Sequence, residues 1–311
     1  LGRGVEKSIL AAPDMELVAI FTRRDPASLD TLSGKAVSID DMADYQGKVD
    51  VCVNCGGSAT DLIDQGPAVT QYFNTVDSFD THARIPEHYA TMDSVAKDND
   101  HIAVISSGWD PGLFSINRVI AEAVLPEGST YTFWGRGVSQ GHSDAIRRIP
   151  GVKEAKQYTV PVQDVVDRIQ AGERPELTTR DKHLRECYVV AEEGADKAAI
   201  EEAIVTMENY FADYDTTVTF ISEEELLRDH SAMPHGGQVI RAGETSPNTT
   251  QVYGFTLTLD SNPEFTGSML VATARAAARM AAAGERGCRT VLDIAPAPYV
   301  PVGADGLRGP L

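Results

Sequence analysis

The chain has 311 residues, 42% of them hydrophobic, enough for two domains with substantial cores. Its formal net charge of −19 excludes a general attraction to nucleic acid or to anionic membranes, since both require positive potential, but leaves room for a local basic pocket. No apolar run approaches the roughly 20 residues that a membrane span needs, so a soluble protein is expected.

From Gly2 onward, Val5, Ile9 and Leu10 recur at helical spacing, and Pro13 breaks the pattern before a strand over 17–21. The stretch "FTRRDP" follows. In a dinucleotide-binding βαβ unit, a G-x-G-x-x-G fingerprint opens the first helix, and a ribose-reading residue follows about 20 residues later at the end of the second strand. Arg23 stands 21 positions after Gly2. Gly2 is therefore expected to be the third glycine of such a fingerprint, with the first strand and first two glycines missing from this sequence. An acid at the ribose position selects NAD, whereas arginine accommodates a 2′-phosphate through charge-assisted hydrogen bonds. Arg23 and Arg24 thus predict NADP, the alternative being two solvated turn arginines.

A strand over 49–53 leads into "NCGGSATD". Cys52 and Cys55 form a C-x-x-C, but strand residues three apart point to opposite faces and no second pair completes a zinc site, so no metal is expected. Cys55, Gly56, Ser58, Ala59 and Thr60 make a candidate cofactor turn. Gly56 and Gly57 let backbone approach a ligand closely, and the hydroxyls can meet a pyrophosphate or cap the helix expected over 61–73. A plain strand-to-helix turn accounts for the same residues. Strands over 74–76 and 101–106 and helices over 86–97 and 113–124 continue the alternation, which predicts βαβ units on a parallel sheet buried on both faces. Ligands of such sheets lie beyond the carboxyl ends of the strands, where Asp77, Asp80 and Asp110 stand; helix N-caps are the alternative use of these acids.

Beyond residue 125 longer alternating runs appear: "TYTFWGRG", "VKEAKQYTVPV", "HLRECYVVAE", "TTVTFIS" and "TQVYGFTLTLD". Two clear helices, over 163–171 and 197–207, and a capped helix start at Ser222 accompany them. This is the α+β pattern of a mostly antiparallel sheet. Asn262-Pro263 opens an Ala-rich helix that runs to Gly284 and, with "TVLDIAPAPYV", returns to the first domain. The expected division is a dinucleotide-binding domain over 1–108, rejoined by about 265–311, and a second domain over 109–264.

Three stretches, "SSGWDPGLFSINR", "FWGRGVSQGHSDAIRRIPGVKEAKQYT" and "MPHGG", closely resemble the NADP-dependent meso-diaminopimelate D-dehydrogenase family, and the likeness runs over essentially the whole chain. Members of that family begin with a strand and a G-x-G-x-x-G whose last glycine aligns with Gly2; a chain without them should bind cofactor poorly. The resemblance implies an α/β fold, a Rossmann-like doubly wound sheet joined to an α+β substrate-binding and dimerisation domain, and a homodimer. It implies reversible oxidative deamination of the D-centre of meso-2,6-diaminopimelate, giving L-2-amino-6-oxopimelate, ammonia and NADPH. By the same resemblance, Asp80 and Asp110 would hold the reacting amino group, while Trp109 and Trp134 would wall the pocket. Gln140, Gly141 and Asp144 would surround the carboxylate of the reacting centre. Thr159, Arg185, His235 and Asn262 would read the distal L-centre. Arg185 has physical support as well, because a charge between apolar strand neighbours needs an anionic partner. His142 is read as structural. Dihydrodipicolinate and saccharopine reductases lack the combined motif set, and a silent nucleotide-binding protein would not require Asp80, Asp110, Arg185 and His235 together.

Overall fold

The helical spacing that starts at Gly2 becomes helix α1 (Gly2–Ala11) in a computed structural model that describes residues 1–309. Strand β1 (Ile20–Thr22) follows and pairs in parallel with β2 (Ala36–Ser38), which the sequence pattern had not marked. The expected strand over 17–21 is shorter and lies further along, because β2 offers only three residues to pair with. The alternation then continues as β3 (Val51–Asn54), α2 (Leu62–Thr70), β4 (Asn74–Asp77), α3 (Ile85–Asp98) and β5 (Ile102–Val104). Helix α4 (Leu113–Val124) carries the chain into a second compact unit that spans Asn117–Asn262.

The second unit contains β6 (Gly128–Trp134), β7 (Gly137–Val138), α5 (Gln140–Arg147), β8 (Val152–Pro161), α6 (Gln163–Gln170), α7 (Thr179–Lys182) and β9 (His183–Ala191). After these come α8 (Lys197–Val205), β10 (Asp215–Phe220), α9 (Glu223–His230), β11 (His235–Ser246) and β12 (Thr249–Leu259). Helix α10 (Asn262–Ala282) and β13 (Gly287–Arg289) then bring the chain back to the first unit, which comprises residues 1–116 and the segment from Pro263 onward.

In the first unit the parallel sheet is in two pieces: a four-stranded sheet ordered β13-β5-β4-β3, and the separate β1-β2 pair. Successive residues of β5 point to opposite faces. Ile102 and Val104 pack with Val76 and with Leu270, Val271 and Ala274 of α10, while Ala103 and Ile105 pack with Met92 and Ala96 of α3. Helices α1 and α10 meet backbone to backbone. A Cβ on Gly4 would lie 2.6 Å from the Pro263 carbonyl oxygen, and one on Gly267 would lie 2.6 Å from the Gly4 carbonyl carbon. The buried Arg275 of α10 adds a bidentate pair to Asp14, at 2.7 and 2.9 Å.

The second unit has two sheets, β12-β11-β6 and β10-β9-β8-β7, antiparallel throughout except for the parallel β9–β10 pair. Alternation fails to reveal β11, because it is the central strand of its sheet and therefore mostly buried, and because it opens with Gly236 and Gly237 at φ +145° and +158°. Side chains there would strike the Leu257 and Phe133 carbonyl oxygens, each 2.2 Å from a Cβ. Helices α5 and α7 are further elements that the two-helix reading omitted. The capped start at Ser222 is realised in α9, where Ser222 and Glu225 form a capping box. Among the described residues no helix is long and apolar enough to cross a membrane.

The glycines of this second sheet give a paired test. Gly237→Ala, with backbone 2.2 Å from the new methyl, is expected to lower stability by roughly 2–4 kcal/mol in urea unfolding. Gly254→Ala on β12, with nothing within 4 Å, should shift it by less than about 0.5 kcal/mol. Equal losses would contradict the packing described for β11.

Candidate active site

The carboxyl ends of β3, β4 and β5 carry three loops that hydrogen bonds join. In the first, "CGGSATD" wraps around Asp61, whose carboxylate accepts from the Gly57 N–H at 3.1 Å, the Thr60 hydroxyl at 3.2 Å and Arg23 Nη2 at 2.7 Å. The Gly57 amide, then Arg23, hold the Asp61 carboxyl below the usual range. The wrap demands a bare backbone, since a Cβ on Gly56 would sit 2.6 Å from that of Asp61. A Cβ on Gly2 would lie 3.9 Å from the Cβ of Cys55. The Ser58 hydroxyl, one residue before Ala59, accepts the Asp80 N–H at 3.0 Å and ties the first loop to the second. Gly2, Arg23, Arg24, Cys55 and Gly56 line a cavity of about 1170 Å³. Burial pushes the Cys52 thiol up to about 12 and that of Cys55 up to about 11, so neither is a thiolate at neutral pH.

Asp77 is 1% exposed and its acceptor sites are filled. Oδ1 accepts the Phe79 and Ser106 N–H groups, each at 3.0 Å, and Oδ2 lies 2.8 Å from His88 Nε2. Its carbonyl accepts the Ser107 N–H at 2.9 Å. This residue thus fastens the second loop to the third, rather than presenting a free carboxylate. Asp80 is exposed and Asp110 half-buried, each on its own strand-end loop. Trp109 is buried edge-on against Phe114, with ring centroids 5.2 Å apart. The loop is closed by Gly112 at φ +138°, where a Cβ would lie 1.7 Å from the Gly108 carbonyl oxygen.

In the second unit the cross-strand register collects another group. Thr159 of β8 stands opposite both Gly137 and Arg185. The Arg185 guanidinium donates to the Thr159 hydroxyl and lies 3.8 Å from the centroid of the Tyr214 ring. Arg185 is 6% exposed, its Nε has no partner, and among the described residues no carboxylate is within ion-pair reach of it. Beside it the Gln157 amide is fully buried with neither polar atom bonded. Gly137 abuts His235: a Cβ there would be 2.5 Å from the imidazole. The His235 loop bonds back through Gly236 O to Gly135 N at 2.8 Å, and its Met233 contacts Gln140 Nε2 and accepts the Asn262 N–H at 3.1 Å. Gln140, Gly141 and Asp144 share helix α5, where a Cβ on Gly141 would meet nothing within 4 Å and Asp144 pairs with Arg147. Trp134, 38% exposed, stacks on His183 at 5.4 Å.

His183 and Tyr214 were not among the residues singled out from sequence. His183 had a signal, because in "KHLREC" it stands two residues before Arg185 on the same strand face. Tyr214 lies in the turn before β10 and had none. The Trp134 N–H donates to His183 Nε2 at 2.9 Å, so that nitrogen is an acceptor and the ring is neutral. Burial, then the Arg185 charge, pushes His183 down to about 4, and the same two causes act on His142. Among the described residues no carboxylate pairs with the buried guanidinium, and the imidazoles near it are held neutral. It can receive an anion.

The family model "Diaminopimelic acid dehydrogenase C-terminal domain" matches residues 108–261. The chain is 60% identical over 295 residues to meso-diaminopimelate D-dehydrogenase from Lysinibacillus sphaericus, covering 94% of this chain and 90% of that one. The structure of Corynebacterium glutamicum diaminopimelate dehydrogenase in complex with diaminopimelate superposes with a TM-score of 0.91 at 46% identity, covering 99% and 95% of the two chains. An engineered D-amino acid dehydrogenase bound to NADP+ superposes with a TM-score of 0.85 at 44% identity and the same coverage.

The depressed histidine gives a pH test. His183 is neutral when folded, with a pKa near 4, and titrates near 6.5 when unfolded, so the unfolded chain binds the extra proton and stability falls as pH drops from about 6.5 towards 4. Between pH 7 and pH 5, His183→Gln, which retains an acceptor for Trp134, should lose less stability than the parent by on the order of 1–2 kcal/mol. Identical pH slopes in urea unfolding would show that His183 does not titrate in this way.

Proposed function

The chain belongs to the meso-diaminopimelate D-dehydrogenase family, and on that premise we infer an NADP-dependent oxidation of meso-2,6-diaminopimelate at its D-centre, yielding L-2-amino-6-oxopimelate and ammonia. The observation that carries the reading is Arg185, a buried guanidinium with no acid beside it, in the unit that the family model matches. The substrate carries two carboxylates and two ammonium groups. It therefore requires acids for the reacting nitrogen and donors for the distal carboxylate.

In the first unit, Asp80 and Asp110 accept the hydrogens of the reacting amino group and draw off its proton as the C–H bond is broken, so that the nitrogen lone pair can form the C=N bond. Water then adds to that bond and ammonia leaves. Trp109 shields this step from bulk solvent. In the second unit, Arg185 and Thr159 receive the distal carboxylate, with His235 and Asn262 completing the L-centre. Gln140, Gly141 and Asp144 surround the carboxylate of the reacting centre, and Trp134 walls the pocket.

The residues at the carboxyl ends of β1 and β3 fit NADP. Bare backbone at Gly2, Gly56 and Gly57, with the Ser58 and Thr60 hydroxyls and the Ala59 backbone, suits a pyrophosphate, while Cys55 packs alongside. Arg23 and Arg24 suit the 2′-phosphate. When bound, the nicotinamide supplies the hydride acceptor. Asp77 contributes by shaping the loop that presents Asp80. The enzyme is a cytoplasmic homodimer in this reading, as the family resemblance indicates.

Turnover is tested by NADPH absorbance with meso-, L,L- and D,D-diaminopimelate. Reduction with the meso form alone is expected; equal rates with all three would reject the stereochemical reading. Arg185→Met should raise KM for the meso substrate roughly 10–100-fold, the cost of a lost charge-assisted pair. Arg23 is already engaged by Asp61, whereas Arg24 makes no ion pair among the described residues. Arg24→Ala should therefore raise KM for NADP more than Arg23→Ala does, and neither should change KM for NAD comparably. Equal effects on both cofactors would remove the phosphate-reading role.

A further inference from the structure

Helix α3 brings a histidine beneath the strand-end loops. His88 is 5% exposed, and its Nε2 lies 2.8 Å from Asp77 Oδ2. A carboxylate can only accept, so His88 donates the Nε2 hydrogen that lies between them. The other carboxylate oxygen accepts the Phe79 and Ser106 N–H groups, each at 3.0 Å. The imidazole itself is clamped. It stacks on Phe79, with ring centroids 4.2 Å apart and planes at 18°, and a Cβ on Gly66 of α2 would lie 3.3 Å from its Cε1. It also lines a recess of about 40 Å³ with Ile63, Arg84, Glu87 and Thr91, side chains of α2, of α3 and of the residue before α3. The loops above it need holding. Ser106 has a left-handed backbone at φ +56°, which is costly for a residue with a Cβ and persists only where its neighbours enforce it. Asp110 follows Ser106 by four residues, and Asp80 follows Asp77 by three.

We propose that His88 is a positioning residue for the oxidation: through Asp77 it sets the two loops that carry Asp80 and Asp110, without touching the substrate. This role rests on the enzymatic reading given above, in which those two acids hold the reacting amino group. Without the imidazole, Asp77 Oδ2 is left buried with no donor, and such a group rotates toward any donor or water within reach. Oδ1 cannot then serve the Phe79 and Ser106 amides together. The strained turn at Ser106 relaxes, and the acids beyond each amide shift with their loops. A displacement on the order of 1 Å at a reacting group is enough to slow turnover about a hundredfold.

Three variants separate this role from packing. His88→Gln keeps an amide N–H at the reach of Nε2, His88→Asn carries one a methylene too short, and His88→Leu has none. With meso-diaminopimelate and NADP, His88→Leu and His88→Asn are expected to lower kcat roughly 10–100-fold, and His88→Gln less than about threefold. KM for NADP, and the inhibition constant of L-2-aminopimelate, which lacks the reacting amino group, should change less than about threefold in all of them. Amide hydrogen exchange gives a readout without turnover. The Phe79, Asp80 and Ser106 amides should exchange at least about tenfold faster in His88→Leu, or in His88→Asn if the leucine variant does not fold, while Ile240 of β11 stays unchanged. Equal kcat in the Gln and Asn variants, KM rising wherever kcat falls, or unaltered exchange at the three amides would each overturn the positioning role. A parent protein without turnover on meso-diaminopimelate would instead overturn the enzymatic reading, and this role with it.

Discussion

The carboxyl end of the first sheet depends on one buried carboxyl group. A polar group such as Asp77, removed from water, is costly unless its lone pairs are used, and here two backbone amides and an imidazole use them. The amides belong to different loops, so the same side chain fixes the turn after β4 and the turn after β5. Through the Asp80 N–H and the Ser58 hydroxyl the constraint extends to the turn after β3. Two acids on flexible loops would spend much of their interaction with an amino group on being ordered. In the proposed reading Asp80 and Asp110, fastened from below, would meet an amino group with less entropy to lose.

The second unit addresses the opposite charge problem. A guanidinium without an acid is a standing electrostatic cost, and the surrounding groups limit it without cancelling it. The Tyr214 ring face and the Thr159 hydroxyl take up part of the charge, while two neutral imidazoles add none. In the proposed reading an incoming carboxylate supplies the missing partner, and the unsatisfied Nε and the unbonded Gln157 amide are the groups left over for it.

Much of this arrangement can be read in the chain itself, where periodicity and chemistry coincide. The β–α alternation of the first unit is legible because each strand is a short apolar run between turn residues. The antiparallel strands of the second unit are legible because one face alternates with the other. Strand β11 escapes this reading, since a central strand that opens on two close-packed glycines has neither alternation nor β-branched weight. Arg185 stands out among apolar neighbours, but its ring partner Tyr214 comes from a turn 29 positions away, set by tertiary contact alone. Asp77, Asp80 and Asp110 look alike as acids at strand ends. Burial distinguishes Asp77, which builds the loops, from the exposed Asp80 and the half-buried Asp110.

The glycine contact between α1 and α10 bears on how the protein is made. Gly4 and Gly267 press backbone on backbone, and Val5 and Ile9 of α1 pack into the cluster that α10 helps to form, so the seat of α1 is incomplete until residues 262–282 have been synthesised. The second unit is continuous from Asn117 to Asn262 and can complete its core on the ribosome. The first must wait, its strands and helices exposed, until α10 emerges. The inserted unit, continuous in sequence, can thus complete its core before the enclosing one has all of its chain.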